Sequence, residues 1–401
     1  MVRKQAYLPT SLYFFKKLGR TTVYTRYFTL SNGTRQEIFN MKVTIYGGGN
    51  IGTQFAAHYA ETGNDVTVFT SKPEKFAKHL TVVNHDGQIL HEGNIRLATS
   101  DPAEAFSEAD VIFVIVPSFA MKKAAANVIP YVKKGAFIGI IPGNGGGEVA
   151  FKEAIDKGTI VFGLQRVPGV ARLVEYGKSV CATGYRKTLY AAALPKKYTD
   201  EACMIISDGL QMECKALPDY LNLTLTPSNP ILHTTRLMTL FGDYIPGKTV
   251  YKHVPLFYEE WSYETTELLF KCDAEVQGLC RELKDFDLSE VKSLKVHYEN
   301  DTVKGFTNKI RSIEGFKGLP TPTVEVEGGY IPDLDSRYFT ADFNYGLFVI
   351  MQVAELVGYQ MLNCKEVFDW YQKIKKPGYG EFSYKEFGIT DKGSFEKFYK
   401  M

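Results

Sequence analysis

The sequence predicts an α/β protein, a doubly wound Rossmann-type parallel sheet domain followed by a mainly α-helical second domain. Three observations predict it. A glycine-rich turn joins an apolar strand to an amphipathic helix just after Met41. Continuous apolar runs then recur, as in parallel strands buried on both faces. Beyond about residue 216 these runs stop and long helical patterns replace them.

Lys42 to Tyr46 reads as the first strand, and Asn50 to Thr62 as a helix with Phe55, Ala56 and Tyr59 on one face. Asp65 to Phe69 is the second strand, and a short hairpin turns at Asp86-Gly87. Val111 to Val116, Ala136 to Ile141 and Thr159 to Phe162 supply further buried strands. Helical stretches near 118–130 and 147–156 separate them, the alternation of a doubly wound sheet. The later helical patterns run over Tyr258 to Leu283, 286–296, 301–310, 342–358 and 365–373. The chain thus divides into a leader (1–40), a dinucleotide-binding domain (41–216) and a helical substrate or catalytic domain (217–401). The ligand is expected in the cleft between the last two.

Composition narrows the function classes. The 401 residues are 45% apolar and 23% charged, an ordinary globular balance. The 47 Lys and Arg against 45 Asp and Glu give +2, and no basic stripe or aromatic platform invites nucleic acid. Residues 1–40 hold seven basic residues and one acidic one, Glu37, so the remainder, with 40 basic and 44 acidic residues, is mildly acidic. That leader lacks the apolar block of a secretory signal, and nothing reaches 18 consecutive apolar residues, so no membrane partner is expected. It shows no clear period and reads as an extension or disordered segment ahead of Met41, whose removal should leave activity intact. Six scattered Cys without a CxxC pair fit a cytoplasmic, reducing setting, and no metal-ligand spacing appears.

Gly47-Gly48-Gly49-Asn50-Ile51-Gly52 is G-x-G-x-x-G placed between a strand and a helix. Gly47 permits the tight turn, Gly49 lets the backbone approach a pyrophosphate, and Gly52 allows close helix packing. The helix start offers free N–H groups and positive dipole to phosphates. An NAD site usually has a carboxylate at the tip of the second strand to bind the ribose 2′-OH. Here the tip reads Phe69-Thr70-Ser71-Lys72-Pro73. Thr70, Ser71 and Lys72 suit a 2′-phosphate, which tilts the cofactor towards NADP(H) with NAD(H) kept open.

Proton transfer near neutral pH suits histidine. His58, His79, His85 and His91 belong to the cofactor domain, and His253 and His297 have no motif around them. His233 differs, because Asn229-Pro230-Ile231-Leu232-His233 looks like a helix start with Asn229 as N-cap and Pro230 at the first helical position. On spacing alone, a structural histidine and a catalytic one both remain open.

Three elements together resemble the octopine/nopaline (opine) dehydrogenase family. They are the glycine turn, Thr226-Pro227-Ser228-Asn229-Pro230-Ile231-Leu232-His233, and Arg337-Tyr338-x-x-x-Asp342-x-x-Tyr345-Gly346-Leu347. Gln165-Arg166-Val167-Pro168-Gly169 and Glu175-Tyr176-Gly177-Lys178-Ser179 are similar to a further family segment. The resemblance spans essentially all of 41–375 and implies reductive condensation of an amino acid with a 2-oxo acid such as pyruvate. His233 would be general acid/base, Asp342 its paired carboxylate, kept ionised by a helix start, and Arg337 the grip on the 2-oxo acid carboxylate. Partners are then small molecules, with a homodimer the one macromolecular association entertained.

The chain departs from the family pattern in Ala341-Asp342-Phe343-Asn344, where Glu-Asp-Val-Pro is common, and in Ile51, where a small residue is usual. An unusual substrate pocket is therefore expected. The rival readings are a 2-oxo acid reductase of the ketopantoate or glycerol-3-phosphate dehydrogenase type, whose Lys motifs find no convincing match, and a non-enzymatic dinucleotide sensor.

Overall fold

The structure, a computed structural model, describes residues 40–378 and 380–401, together with the backbone of three strands ahead of them. Those strands, Leu12–Leu18, Thr21–Thr29 and Arg35–Ile38, pair antiparallel as a sheet of their own. The leader reads from sequence as an extension or a disordered segment. Its Thr, Tyr, Val and Phe favour strands by propensity even though no period shows. The rest of residues 1–39 lies outside the described residues.

The main sheet runs in the order Leu97–Thr99, Asp65–Phe69, Lys42–Tyr46, Val111–Val114, Phe137–Ile140, Ile160–Leu164, Thr188–Leu194 and Glu213–Ala216. It is parallel from Leu97–Thr99 to Ile160–Leu164, then antiparallel to Thr188–Leu194. Every residue of Val111–Val114 and Ile160–Leu164 is buried, as their unbroken apolar runs require. Lys42–Tyr46 has the second strand on one side and the third on the other. The strand order therefore reverses there, and the glycine turn leaves the sheet at this switch point.

The helix Asn50–Glu61 lies between the main sheet and a second sheet of Val170–Glu175, Ser179–Thr183, His79–Val83 and Ile89–Asn94. Its Phe55, Ala56 and Tyr59 bury against Leu80, Val82 and Val180. The strand Thr188–Leu194 was not anticipated, because Ala191, Ala192 and Ala193 carry little strand propensity.

The helical part departs from the sequence reading in two places. The long helix is Tyr263–Glu282 rather than starting at Tyr258, because the Ser262 hydroxyl accepts from the Thr265 N–H and caps it. Phe257 and Tyr258 are thereby left in the turn ahead of it. The helix expected over 286–296 shrinks to Leu294–His297. Backbone N–H groups of Asp287, Glu290 and Leu294 donate instead to the side chains of Asp219, Asn222 and Asp273. Such side-chain acceptors compete with helical bonding.

The two parts share one core, running from Ile112, Ile138 and Val149 through Leu223 and Ile231 to Phe343 and Phe398. The C-terminal helix Lys392–Tyr399 closes it, with the Tyr399 hydroxyl donating to Glu148 Oε1 at 2.7 Å. Among the described residues no helix is long and apolar enough to cross a membrane, and all six cysteines are free.

Candidate active site

The glycine turn is built as its spacing implies. Gly47 has φ +123°, and a Cβ there would sit 2.4 Å from the Ile115 carbonyl oxygen. A Cβ on Gly52 would lie 1.8 Å from the Gly47 oxygen, so only glycine lets the helix start this close to the turn. Gly49 faces open space and precedes a helix start with no side-chain cap, leaving its N–H groups free for an anion. These features fit a dinucleotide pyrophosphate. Asn50 is anchored elsewhere, its Oδ1 accepting from the Leu173 N–H at 2.7 Å, which ties the helix start to the second sheet. Ile51 is half-buried and, with Asn50, lines the adjoining cleft.

At the second strand's tip, Thr70 is buried and its hydroxyl bonds the Tyr176 hydroxyl at 3.0 Å. Ser71 and Lys72 are exposed, with Lys72 Nζ 6.0 Å above the Tyr176 ring. Of the three residues proposed for the 2′ group, Thr70 thus acts first in holding the strand tip.

From the glycine turn a cleft of about 330 Å³ opens between the two parts, lined by Asn50, Ile51, Asn144, Arg172, Asn229 and Arg337 among others. The helix Ser228–Phe241 begins one residue earlier than its expected cap, so Asn229 is inside the first turn, exposed to the cleft. The preceding short helix Leu221–Thr224 feeds almost directly into it, and no side chain caps its start. His233 follows one turn later and is 7% exposed. Its Nδ1 donates to Asp342 Oδ2 at 2.7 Å, across 109 residues of sequence. Its Nε2 then accepts from the Tyr258 hydroxyl, also at 2.7 Å.

Asp342 is not at a helix start. It opens a wide, π-type turn, Asp342–Leu347, between the short helix Arg337–Thr340 and the helix Phe348–Val357. A helical turn already precedes it, so the free N–H groups expected to stabilise it are absent, and His233 is its partner instead. Arg337 is exposed on the cleft wall at the head of the same run. The altered neighbour Phe343 turns away from the cleft, stacking on Tyr371 at 4.2 Å within the core.

Residues the sequence reading passed over complete the picture. Phe257, Tyr258 and Tyr338 form an aromatic cage around His233, the Tyr338 ring centroid being 4.5 Å from the imidazole. Burial, with the nearby Tyr338, Tyr298 and Asp342, pushes the Tyr258 phenol far above its ordinary range, so it keeps its proton. Burial, and then Asp342, raise the Tyr338 phenol above its ordinary range, while Arg337 and Arg172, which reaches the cleft from the second sheet, offset only part of that rise. No local motif marks Tyr258; only the cap at Ser262 places it. The fold also gathers His58 and Glu61, one turn apart on the helix Asn50–Glu61, with His91 of the strand Ile89–Asn94. The two imidazoles lie 3.8 Å apart between centroids, tilted by 34°, with His58 Nε2 bonded to the Tyr185 hydroxyl and His91 Nδ1 to Glu61.

The family described as NAD/NADP octopine/nopaline dehydrogenase, alpha-helical domain, matches residues 216–375, and the NAD-dependent glycerol-3-phosphate dehydrogenase N-terminus matches residues 42–143. Tauropine dehydrogenase of Arabella iricolor is 26% identical over 385 residues, covering 87% of this chain and 96% of that protein. Octopine dehydrogenase of Pecten maximus is 26% identical over 362 residues, covering 83% and 90%. A solved octopine dehydrogenase with NADH and L-arginine superposes with a TM-score of 0.75 at 25% identity, over 83% of this chain and 89% of that one. With the glycine cradle at one end of the cleft and the Asn-Pro-x-x-His helix at the other, residues 216–375 match the helical domain of the octopine/nopaline dehydrogenases, and the chain, similar over most of its length to such enzymes, is an NAD(P)-dependent oxidoreductase acting on CH–NH donors.

Proposed function

We propose that the protein condenses an amino acid with a 2-oxo acid such as pyruvate and reduces the resulting imine to a secondary amine that joins the two α-carboxylate-bearing carbons. The observation that carries this reading is the Asp342–His233–Tyr258 chain, with both bonds at 2.7 Å, set beside a cleft that also presents Arg337. Similar solved octopine dehydrogenases hold NADH with L-arginine or with pyruvate, an amino acid and a 2-oxo acid.

The residues divide the work. Arg337 and Arg172 offer planar donor forks to the two α-carboxylates, orienting the reactants in the cleft. Attack by the free amine forms the C–N bond, and the carbonyl oxygen departs as water once it has gained protons. His233 takes up a proton from the amine and returns it to that oxygen, with Asp342 holding the imidazole in the tautomer that leaves Nε2 free to accept. Tyr258, a phenol bonded to Nε2, either carries that proton or swings aside as substrate enters; in both cases it covers the histidine beforehand. Bound NAD(P)H supplies the hydride that reduces the imine carbon. The glycine turn and the start of the helix Asn50–Glu61 hold its pyrophosphate.

The test is an NAD(P)H-consumption screen of common amino acids against pyruvate and other 2-oxo acids. Oxidation that needs both partners supports the proposal. Oxidation with the 2-oxo acid alone makes the protein a simple reductase and overturns it.

A further inference from the structure

The cleft does not end at Arg337. Through Gln165, Arg166, Arg186, Thr226 and Ser228 it continues into a second chamber of about 290 Å³. Three cations, Arg166, Arg186 and Lys292, face this chamber against one carboxylate, Glu290, which pairs with Lys292 at 3.5 Å. The surplus is +2.

Neither guanidinium meets a carboxylate among the described residues. Arg166 Nη1 donates to Ser228 Oγ at 3.0 Å, and Arg186 Nε donates to the Val167 carbonyl at 3.2 Å. Each guanidinium keeps further N–H donors for a ligand. Arg166 is half-buried, and after burial the charge of Arg186 is the next cause lowering its pKa. Desolvation and the same two guanidiniums push His297, on the chamber wall, down to about 4, so it adds no charge near neutral pH. Two like charges held together in a partly dry cleft repel one another, and a bound anion relieves that repulsion. Paired planar forks suit a carboxylate in particular.

The α-carboxylates of a 2-oxo acid and an amino acid are met by Arg337 and Arg172. Arg166 and Arg186 line that same cleft and carry its wall on into the second chamber, where the side chain of the amine substrate would extend. Resting on the condensation proposed above, we propose that this chamber binds an acidic side chain, so that the amine substrate is a dicarboxylic amino acid of the aspartate or glutamate class. A cationic side chain would face the uncompensated +2.

The experiment compares L-glutamate, L-aspartate, L-glutamine and L-arginine as amines with pyruvate and NAD(P)H. Charge-assisted hydrogen bonds of this kind are worth about 10–100-fold, so kcat/KM for glutamate or aspartate should exceed that for glutamine by at least about tenfold. Arg166→Gln and Arg186→Gln should shrink the glutamate/glutamine ratio towards one, and Arg166→Lys, which keeps the charge, should retain part of it. Turnover with glutamine or arginine equal to or better than with the acidic amino acids, or a ratio unchanged in both Gln variants, overturns the proposal. Should no amine be turned over, the condensation reading fails, and the chamber is read separately by calorimetric titration of glutarate. Binding to the NAD(P)H-loaded protein that is lost in Arg166→Gln supports the anion site; equal or absent binding in both proteins overturns it.

Discussion

The Nε2 atom of His233 lies 2.7 Å from the hydroxyl of Tyr258, with Asp342 at the same distance on the other side of the ring. The histidine that the Asn-Pro-x-x-His segment marks is thus already engaged at both nitrogens and nearly sealed from solvent. Tyr258→Phe removes the cover's hydrogen bond while keeping its packing against Phe316, whose ring stacks on it at 4.1 Å. The variant should change the pH profile of kcat and lower kcat by about tenfold or more if the phenol carries the proton. A pH profile and kcat identical to wild type would show that Tyr258 merely fills space.

His233→Ala should lower kcat by about 10²–10⁴-fold, the range for loss of a general acid or base, with cofactor affinity nearly intact. Steady-state kinetics together with fluorescence titration of NAD(P)H checks both halves. A normal kcat would remove His233 from the mechanism.

Arg337→Ala should raise KM for the 2-oxo acid, by about 10–100-fold if a bidentate carboxylate contact is lost, while KM for the cofactor stays put. An unaltered 2-oxo acid KM would count against its role.

Lys72 stands exposed at the second strand's tip, where Thr70 is already tied to Tyr176. The absence of a carboxylate there favours a 2′-phosphate, so KM should be lower for NADPH than for NADH, and Lys72→Ala should weaken NADPH alone. A strong NADH preference unaffected by Lys72→Ala would reverse the assignment.

Acid should weaken the fold through His58. Burial first, then His91, pushes its pKa down to about 3, whereas an unfolded imidazole titrates near about 6.5. Between those values the unfolded chain holds a proton that the native one lacks, so stability falls as pH drops through that window, by at most about 1.4 kcal/mol per unit. His297, pushed down to about 4, adds a smaller share of the same sign. His58→Gln should therefore lose less Tm between pH 7 and pH 5 than wild type. Equal losses would mean that His58 does not govern acid stability.

Much of this was legible in the chain, for physical reasons that differ by element. The strand Val111–Val114 announces itself because burial on both faces demands an unbroken apolar run, and Lys42–Tyr46 and Asp65–Phe69 through the alternation of Val, Ile or Phe with Thr beside the glycine turn. The glycine turn is legible because a side chain at Gly47 or Gly52 would collide with backbone. A helix-start pattern at Asn229-Pro230 singles out His233 without giving it a role, whereas Asp342 and Arg337 stand out only through the family resemblance. Tyr258 and the Arg166–Arg186 chamber stayed hidden because their meaning depends on contacts far away in sequence. Three acceptors, Asp219, Asn222 and Asp273, undid the helix expected over 286–296 by taking backbone N–H groups that a helix would have used.

The central claim concerns one new carbon–nitrogen bond, and isotopes report on it directly. The protein is incubated with pyruvate, a ¹⁵N-labelled amino acid and NAD(P)H deuterated at the transferred position, and the products are read by mass spectrometry. The account predicts a single secondary-amine product, the amino acid and pyruvate carbon skeletons joined through nitrogen, carrying both ¹⁵N and one deuterium. Deuterated lactate, with the amino acid recovered unchanged, would contradict it.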